Sequence, residues 1–261
     1  MKIDILLTTY HKNHKEILDL LKHLNIKSSV IVGNQTNNEG EFTYKVDGSP
    51  VLIVETNDKG VSKNRNNILK YSKADIVIFA DDDEIFTDDA ISIIEESFNE
   101  NKEADAIYFS INIKGSARPV RLFQKSRKAK WKDISPLGVW GLAIKTSAIK
   151  NYNLEFDTNF GPGSKNSMGE DSIYLKDCYD SRMNLFTSTK TIATIEQTQS
   201  TWFKGYDDDY FINLGQTTKR IYKNKCRLKF IKYTLYYLLK FRKNPLKVHH
   251  LLLKGSKLNY K

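Results

Sequence analysis

The sequence predicts an α/β fold, a three-layer sandwich around a mostly parallel central sheet, followed by a helical extension. Three observations carry this. Short apolar runs rich in Val, Ile and Leu alternate with amphipathic stretches of helical period as far as residue 111. The segments joining them are polar or contain glycine. At 261 residues and 40% apolar content, the chain can bury one large core yet is too polar for a polytopic membrane protein.

The elements follow in order. Residues 3–9 read as a first strand, and Asn13 as the cap of a helix with Ile17, Leu18, Leu20, Leu21 and Leu24 on one broad face. Residues 29–32 form a second strand, 34–49 a polar loop and 51–54 a third strand. Asn57-Asp58-Lys59-Gly60 then turns into a helix running to about Ser72. Residues 75–80 are a buried strand ending in Asp81-Asp82-Asp83. A helix over 87–99 and a strand over 106–111 come next, and residues 114–133 lose periodicity and become basic through Arg118, Arg121, Lys125, Arg127, Lys128 and Lys130. A short strand over 142–145, a glycine-rich loop at 160–164 and a helix over 172–179 opened by Glu170-Asp171 complete this part. Helices at about 207–223, 227–242 and 245–253 close the chain. The expected organisation is one α/β unit over 1–205, with halves 1–110 and 111–205, and a basic helical region over 206–261.

Charge is unevenly placed. The net charge is +10, and 14 of the 41 Lys and Arg residues lie between Tyr210 and Lys261, where Asp and Glu are absent. The other 27 stand against all 31 acids, so residues 1–209 carry a balance of −4. The cationic end implies an anionic partner. No nucleic-acid recognition motif accompanies it. Residues 230–241 are too short to span a bilayer, but their aromatics and flanking cations suit a headgroup boundary; a helical lid or an oligomer contact is the other reading. Met1-Lys2-Ile3-Asp4 reads as the start of a strand and not as a signal peptide. The widely separated Cys178 and Cys226 fit a reducing cytoplasm, and the expected location is peripheral, at the inner face of the cell membrane.

In a parallel sheet, ligands bind at the carboxyl ends of the strands. Thr8-Thr9-Tyr10, Gly33-Asn34, Glu55 to Asn57 and the three aspartates would gather there. Adjacent carboxylates repel, and each loses hydration at a covered sheet edge. An oxygen-only cluster of this kind calls for Mg2+ or Mn2+; an acidic turn leading into the next helix is the alternative. Neither G-x-G-x-x-G after the first strand nor G-x-x-x-x-G-K-[ST] is present.

Five pieces occur in a fixed order: Thr8-Thr9-Tyr10, Asn57-x-x-Gly60-x-Ser62-x-x-Arg65-Asn66, Asp81-Asp82-Asp83, Phe160-Gly161-x-Gly163 and Glu170-Asp171. Over roughly residues 1–205 this resembles the GT-A fold, Rossmann-like glycosyltransferases of family 2. The resemblance implies an inverting transfer from a nucleoside diphosphate sugar, a UDP-sugar in the first instance, to a hydroxyl of a saccharide or lipid-linked acceptor in bacterial surface polysaccharide synthesis. It implies nucleotide contacts from Thr8, Thr9, Tyr10, Asn34, Asn57, Gly60, Ser62, Arg65, Asp81 and Asp82, a metal (Mn2+ or Mg2+) on Asp83, and Asp171 as general base beside Glu170. Glu170 either caps its helix or orients the acceptor. The glycine-rich loop is an approach to the sugar or an ordinary turn, and Trp140 a sugar platform or a core residue.

Two departures stand out. Asn34 occupies the place where the family carries an acid that reads uracil. The family's metal-proximal histidine is replaced by a stretch in which Glu196 or Gln197 would serve, or else Asp83 and diphosphate hold the metal alone. The five histidines, His11, His14, His23, His249 and His250, are expected at the surface. The same carboxylates would also suit a metal-dependent nucleotidyl or phosphoryl transferase, and a non-catalytic binder of nucleotide sugars or membranes is a third reading.

Overall fold

The computed structural model describes residues 1–114, 123–196 and 205–258. Arg118, Arg121 and the stretch from Gln197 to Trp202 lie outside the described residues, as does the side chain of Glu196. The described elements are strands β1 (Ile3–Tyr10), β2 (Ser29–Gln35), β3 (Gly40–Val46), β4 (Ser49–Thr56), β5 (Ile76–Ala80), β6 (Glu84–Phe86), β7 (Ala106–Lys114), β8 (Arg127–Lys128), β9 (Leu142–Lys145) and β10 (Leu185–Glu196). The helices are α1 (His14–His23), α2 (Val61–Leu69), α3 (Ala90–Glu100), α4 (Trp131–Ile134), α5 (Thr146–Asn151), α6 (Glu170–Asp180), α7 (Asp208–Tyr222), α8 (Cys226–Phe241) and α9 (Pro245–Ser256).

One sheet runs in the order β3-β4-β2-β1-β5-β9-β7-β10-β6, with β8 on β10. Its first half, β4-β2-β1-β5, is parallel as expected. The second half is mixed, because β9 inserts antiparallel between β5 and β7. Side chains alternate across the sheet. Ile5, Leu7, Ile76 and Ile78 face α1 and α3, while Leu6, Val77 and Phe79 face α2, α5 and α6. The three layers follow from that alternation.

Local chemistry explains the boundaries. Asn13 caps α1 with its side chain on the Glu16 amide (3.0 Å), and Glu16 returns a bond to the Asn13 amide (2.7 Å), a complete capping box. The stretch 34–49, expected to be a loop, instead contains β3, paired antiparallel with β4. Its turn is Asp47-Gly48, with φ +48° and +85°. An Asp-Gly pair between alternating residues is a strong hairpin signal. β10, for which the sequence reading assigned no element, is rich in β-branched Thr and Ile and pairs parallel with β7 through a bulged register.

The C-terminal helices form their own small core from Phe211, Phe230, Tyr237, Val248, Leu251 and Leu252. They are joined to the sheet domain through α7. Arg220 pairs with Asp157 (3.0 Å) and Asp177 (2.8 Å), and Asn166 donates to Asn213 O (3.0 Å) and Gln216 Oε1 (3.1 Å). The Asp207 carboxylate caps α7 by accepting from the Tyr210 amide at 2.8 Å. No helix among the described residues is long and apolar enough to cross a membrane.

Candidate active site

The register aligns the strand ends. Thr9 is level with Asn34, Asn34 with Glu55, and Leu7 with Ala80, so Asp81 emerges beside Thr8. The order of parallel strands reverses at β1, which opens a crevice at this edge.

Arg65, in the second turn of α2, organises the crevice. Its Nη1 donates to Asp171 Oδ1 at 2.6 Å and its Nη2 to Asp81 Oδ1 at 2.9 Å. Its guanidinium carbon lies 5.2 Å from the centre of the Phe156 ring. The Arg65 side chain is 3% exposed, against 19% for Asp171 and 41% for Asp81. Burial alone would lower its pKa, but Asp171, Asp81 and Glu170 outweigh burial and raise it. One fixed cation thus draws together carboxylates from the end of β5 and the start of α6.

The rest of the α2 motif holds the glycine-rich loop. Ser62 donates to Phe160 O (2.7 Å), Val61 N to Pro162 O (3.0 Å), and Asn66 exchanges two 2.8 Å bonds with the Phe156 backbone. Gly60, at φ +112°, and Gly163 touch: a Cβ on Gly163 would lie 3.0 Å from Gly60 Cα. Close backbone approach is what these glycines permit. A Cβ on Gly161 would likewise meet Glu170 Cδ at 3.0 Å. The loop therefore lies against α2 and the acidic pair.

The acidic groups differ in setting. Burial pushes Asp171 above the usual carboxylate range, while Arg65 and the Val139 amide pull it back part of the way. Burial, with Asp171 beside it, pushes Glu170 up to about 8. Asp83 is pushed up to about 6 by partial burial and by Asp81 and Asp82. Asp82 is exposed, 3.6 Å from Lys12 Nζ. Among the described residues no three His, Cys, Asp or Glu side chains are placed to hold a cation by themselves. Asp83, crowded by like charge, fits a cation shared with a bound diphosphate, the arrangement Mg2+ commonly adopts.

Other expected contacts fall as follows. Thr9 is buried, with an Oγ1 that lacks a hydrogen-bond partner among the described residues; Thr8 is buried beside it, and Tyr10 is exposed. Asn34 is fully buried, donates to Lys12 O (2.7 Å) and Glu55 Oε1 (3.1 Å), and accepts from the Lys12 amide (3.3 Å). Its amide thus pins the loop after β1. Asn57 is exposed at the end of β4. Trp140 is half-buried and packs on both core clusters. A Cβ on Gly138 would lie 2.2 Å from Trp140 Nε1 and 2.8 Å from Asp171 Oδ2, so the indole edge sits beside that carboxylate.

The sequence reading missed Glu84. It follows the three aspartates, is fully buried on β6, and neither carboxyl oxygen has a hydrogen-bond partner among the described residues. Burial raises it well above the usual range, with Asp81 and Asp83 adding to the shift. Only its alternation with buried Phe86 hinted at this.

The family model described as Glycosyl transferase family 2 matches residues 12–161. The chain belongs to that family. Its GT-A architecture agrees with solved structures of Staphylococcus aureus TarS. The TarS 1-349 structure in complex with UDP-GlcNAc superposes with a TM-score of 0.65 at 15% identity, covering 92% of this chain and 73% of that one. The complex with UDP gives 0.64 at 14% identity, covering 94% and 74%. The chain is also 24% identical, over 85% of its length and 73% of the relative's, to the poly(ribitol-phosphate) beta-N-acetylglucosaminyltransferase TarP of Staphylococcus aureus (strain N315). This family 2 glycosyltransferase thus has its acidic cluster at the strand edge that its fold reserves for ligands.

Proposed function

We propose that this glycosyltransferase moves a sugar, with inversion, from a UDP-sugar to a hydroxyl of a saccharide or lipid-linked acceptor during synthesis of a bacterial surface polymer. One observation carries the reading: Asp81 and Asp171, distant in sequence, meet on the buried Arg65. The donor supports come from relatives, since TarS was solved with UDP and with UDP-GlcNAc. The likeness to TarP supports including phosphate-linked polyols among the acceptors to assay.

Asp171 is the general base. Its Oδ1 is fixed by Arg65, which orients the carboxylate, its Oδ2 lies beside the Gly138–Trp140 turn, and its 19% exposure leaves a path for an acceptor hydroxyl. A pKa raised by burial strengthens it as a base, and general base catalysis contributes about 10²–10⁴-fold. Glu170, raised by burial and by Asp171 beside it, orients the acceptor hydroxyl next to that base. The nucleotide lies across Thr8, Thr9 and Asp81, at the carboxyl ends of β1 and β5. Asp83 would hold Mn2+ or Mg2+ together with the diphosphate, and such an ion offsets charge on the departing group.

Asp171→Asn tests the assignment. Transfer should fall by about 10²–10⁴-fold, while UDP affinity, measured by calorimetry, stays within a few-fold of wild type. Retained turnover removes Asp171 from the chemistry. Thermal shift with UDP and GDP, each with and without Mn2+, addresses base and metal. Stabilisation by UDP that EDTA leaves unchanged would eliminate the metal role of Asp83.

A further inference from the structure

Helix α8 carries apolar residues on two opposite faces, and only one is covered. Cys226, Phe230 and Tyr237 are buried against α7 and α9. On the other side Leu228, Ile231, Leu235 and Leu239 are 66%, 51%, 52% and 81% exposed. Their spacing of three, four and four residues puts them on one ridge. Leu238 flanks the ridge at 37% exposure, and Leu246, at the start of α9, is 81% exposed. Scattered exposed leucines are ordinary in soluble proteins, but a continuous aliphatic ridge along a whole helix marks a contact surface.

The ridge is bordered by cations. Arg227, Lys232 and Lys240 are exposed on α8, and Arg242 and Lys247 follow it. Lys240 Nζ lies 5.5 Å from the Tyr236 and Phe241 rings, placing a charge beside an amphipathic aromatic pair. No acid occurs after Asp209. Of the nearest acids, Asp207 caps α7 and Asp208 pairs with Lys247 at 2.7 Å.

We infer that this face of α8 lies flat on an anionic lipid leaflet, with the aliphatic ridge among the upper acyl chains and the bordering Lys and Arg at the headgroups. Sixteen residues make a helix of about 24 Å, too short to span but suited to lying in the interface. Charge selects this occupant over a second copy of the chain. A two-fold contact through the same face would set the cluster Arg227, Lys232 and Lys240 near the same cations of the second copy, with no acid on α8 to separate them. The inference rests on α8 alone and stands or falls separately from the glycosyl-transfer reading.

The test is co-sedimentation of the full chain with vesicles of phosphatidylglycerol or of phosphatidylcholine. Binding to phosphatidylglycerol should be at least about tenfold tighter, and should weaken with salt. The triple variant Ile231→Ser, Leu235→Ser, Leu239→Ser should lose that binding by a similar factor with an unchanged melting temperature, since all three side chains already face water. Independently, an environment-sensitive fluorophore on a Leu239→Cys variant should shift to the blue on adding phosphatidylglycerol vesicles. Absence of binding by wild type, or undiminished binding by a folded serine variant, overturns the proposal. So does self-association in light scattering that the serine variant abolishes, because a second copy would then cover the ridge.

Discussion

Arg65 is the residue on which the site's electrostatics turn. A guanidinium can bond two carboxylates at once because its donors are fixed in a plane, and here Nη1 and Nη2 serve different acids. Removing one partner of a buried charge network leaves the others uncompensated, typically at 3–5 kcal/mol. Arg65→Met should therefore cost about 3 kcal/mol, the low end of that range, because Asp81 is 41% exposed and water can screen it. Urea unfolding measures this; a change below about 1 kcal/mol would mean that the pairs behave like surface ion pairs. Arg65→Lys keeps the charge but cannot reach both acids, so it should fall between wild type and Met. From sequence, Arg65 was legible as an anion contact in the first part of α2. Its bond to Asp171 was not, because the two sit on different helices and meet only after the sheet has formed.

Helix α7 supports the turn that opens α6 from behind. Gly169 precedes Glu170-Asp171 in the left-handed region, at φ +97°, and a Cβ there would lie 2.3 Å from Thr217 Cγ2 on α7. Gly169→Ala should thus strain the backbone and also push α6 from α7. The expected result is a loss of about 1–3 kcal/mol together with reduced transfer. Adding Thr217→Ala should recover the steric part and leave the strain. If the double variant is no more stable than the single one, the contact is not the cause. The capped helix at Asn13, the strand Ile76–Ala80 and the start of α7 were all readable, since a cap, an apolar run or an acidic helix start acts over a few residues. β3 could have been read from Asp47-Gly48. β9 runs antiparallel, which its four residues alone did not announce.

Taken together, the clustered acids of the site tie stability to pH. Asp83 (about 6), Glu170 (about 8), Asp171 and Glu84 all have folded-state pKa values above their ordinary ones. The folded protein therefore binds protons that the unfolded chain has already released. Stability from these groups is fullest below their unfolded values of 3.8 and 4.5 and declines as pH rises through the folded ones. Glu84→Gln keeps the shape and removes one such group. Its urea midpoint should exceed that of wild type, by a margin that widens from about pH 5 to about pH 8. A margin that stays flat over this interval would show that Glu84 is already ionised in the folded state at pH 5.

The amino-acid sequence by itself determined the layers, the strand ends where polar and acidic residues gather, and the family. Each rests on interactions between neighbours in the chain or on motifs whose spacing survives unfolding. Tertiary structure alone decided which groups meet. Arg65 joins Asp81 to Asp171, Ser62 and Asn66 clamp a distant loop, Asn34 pins the turn after β1, and Glu84 is fully buried beside Asp81 and Asp83. It also decided which side of α8 is covered: apolar residues ring that helix, and only the packing of α7 and α9 leaves the Leu228–Leu239 ridge facing outward. Charge pairing and burial depend on distances closed by the whole chain, and no local pattern encodes them.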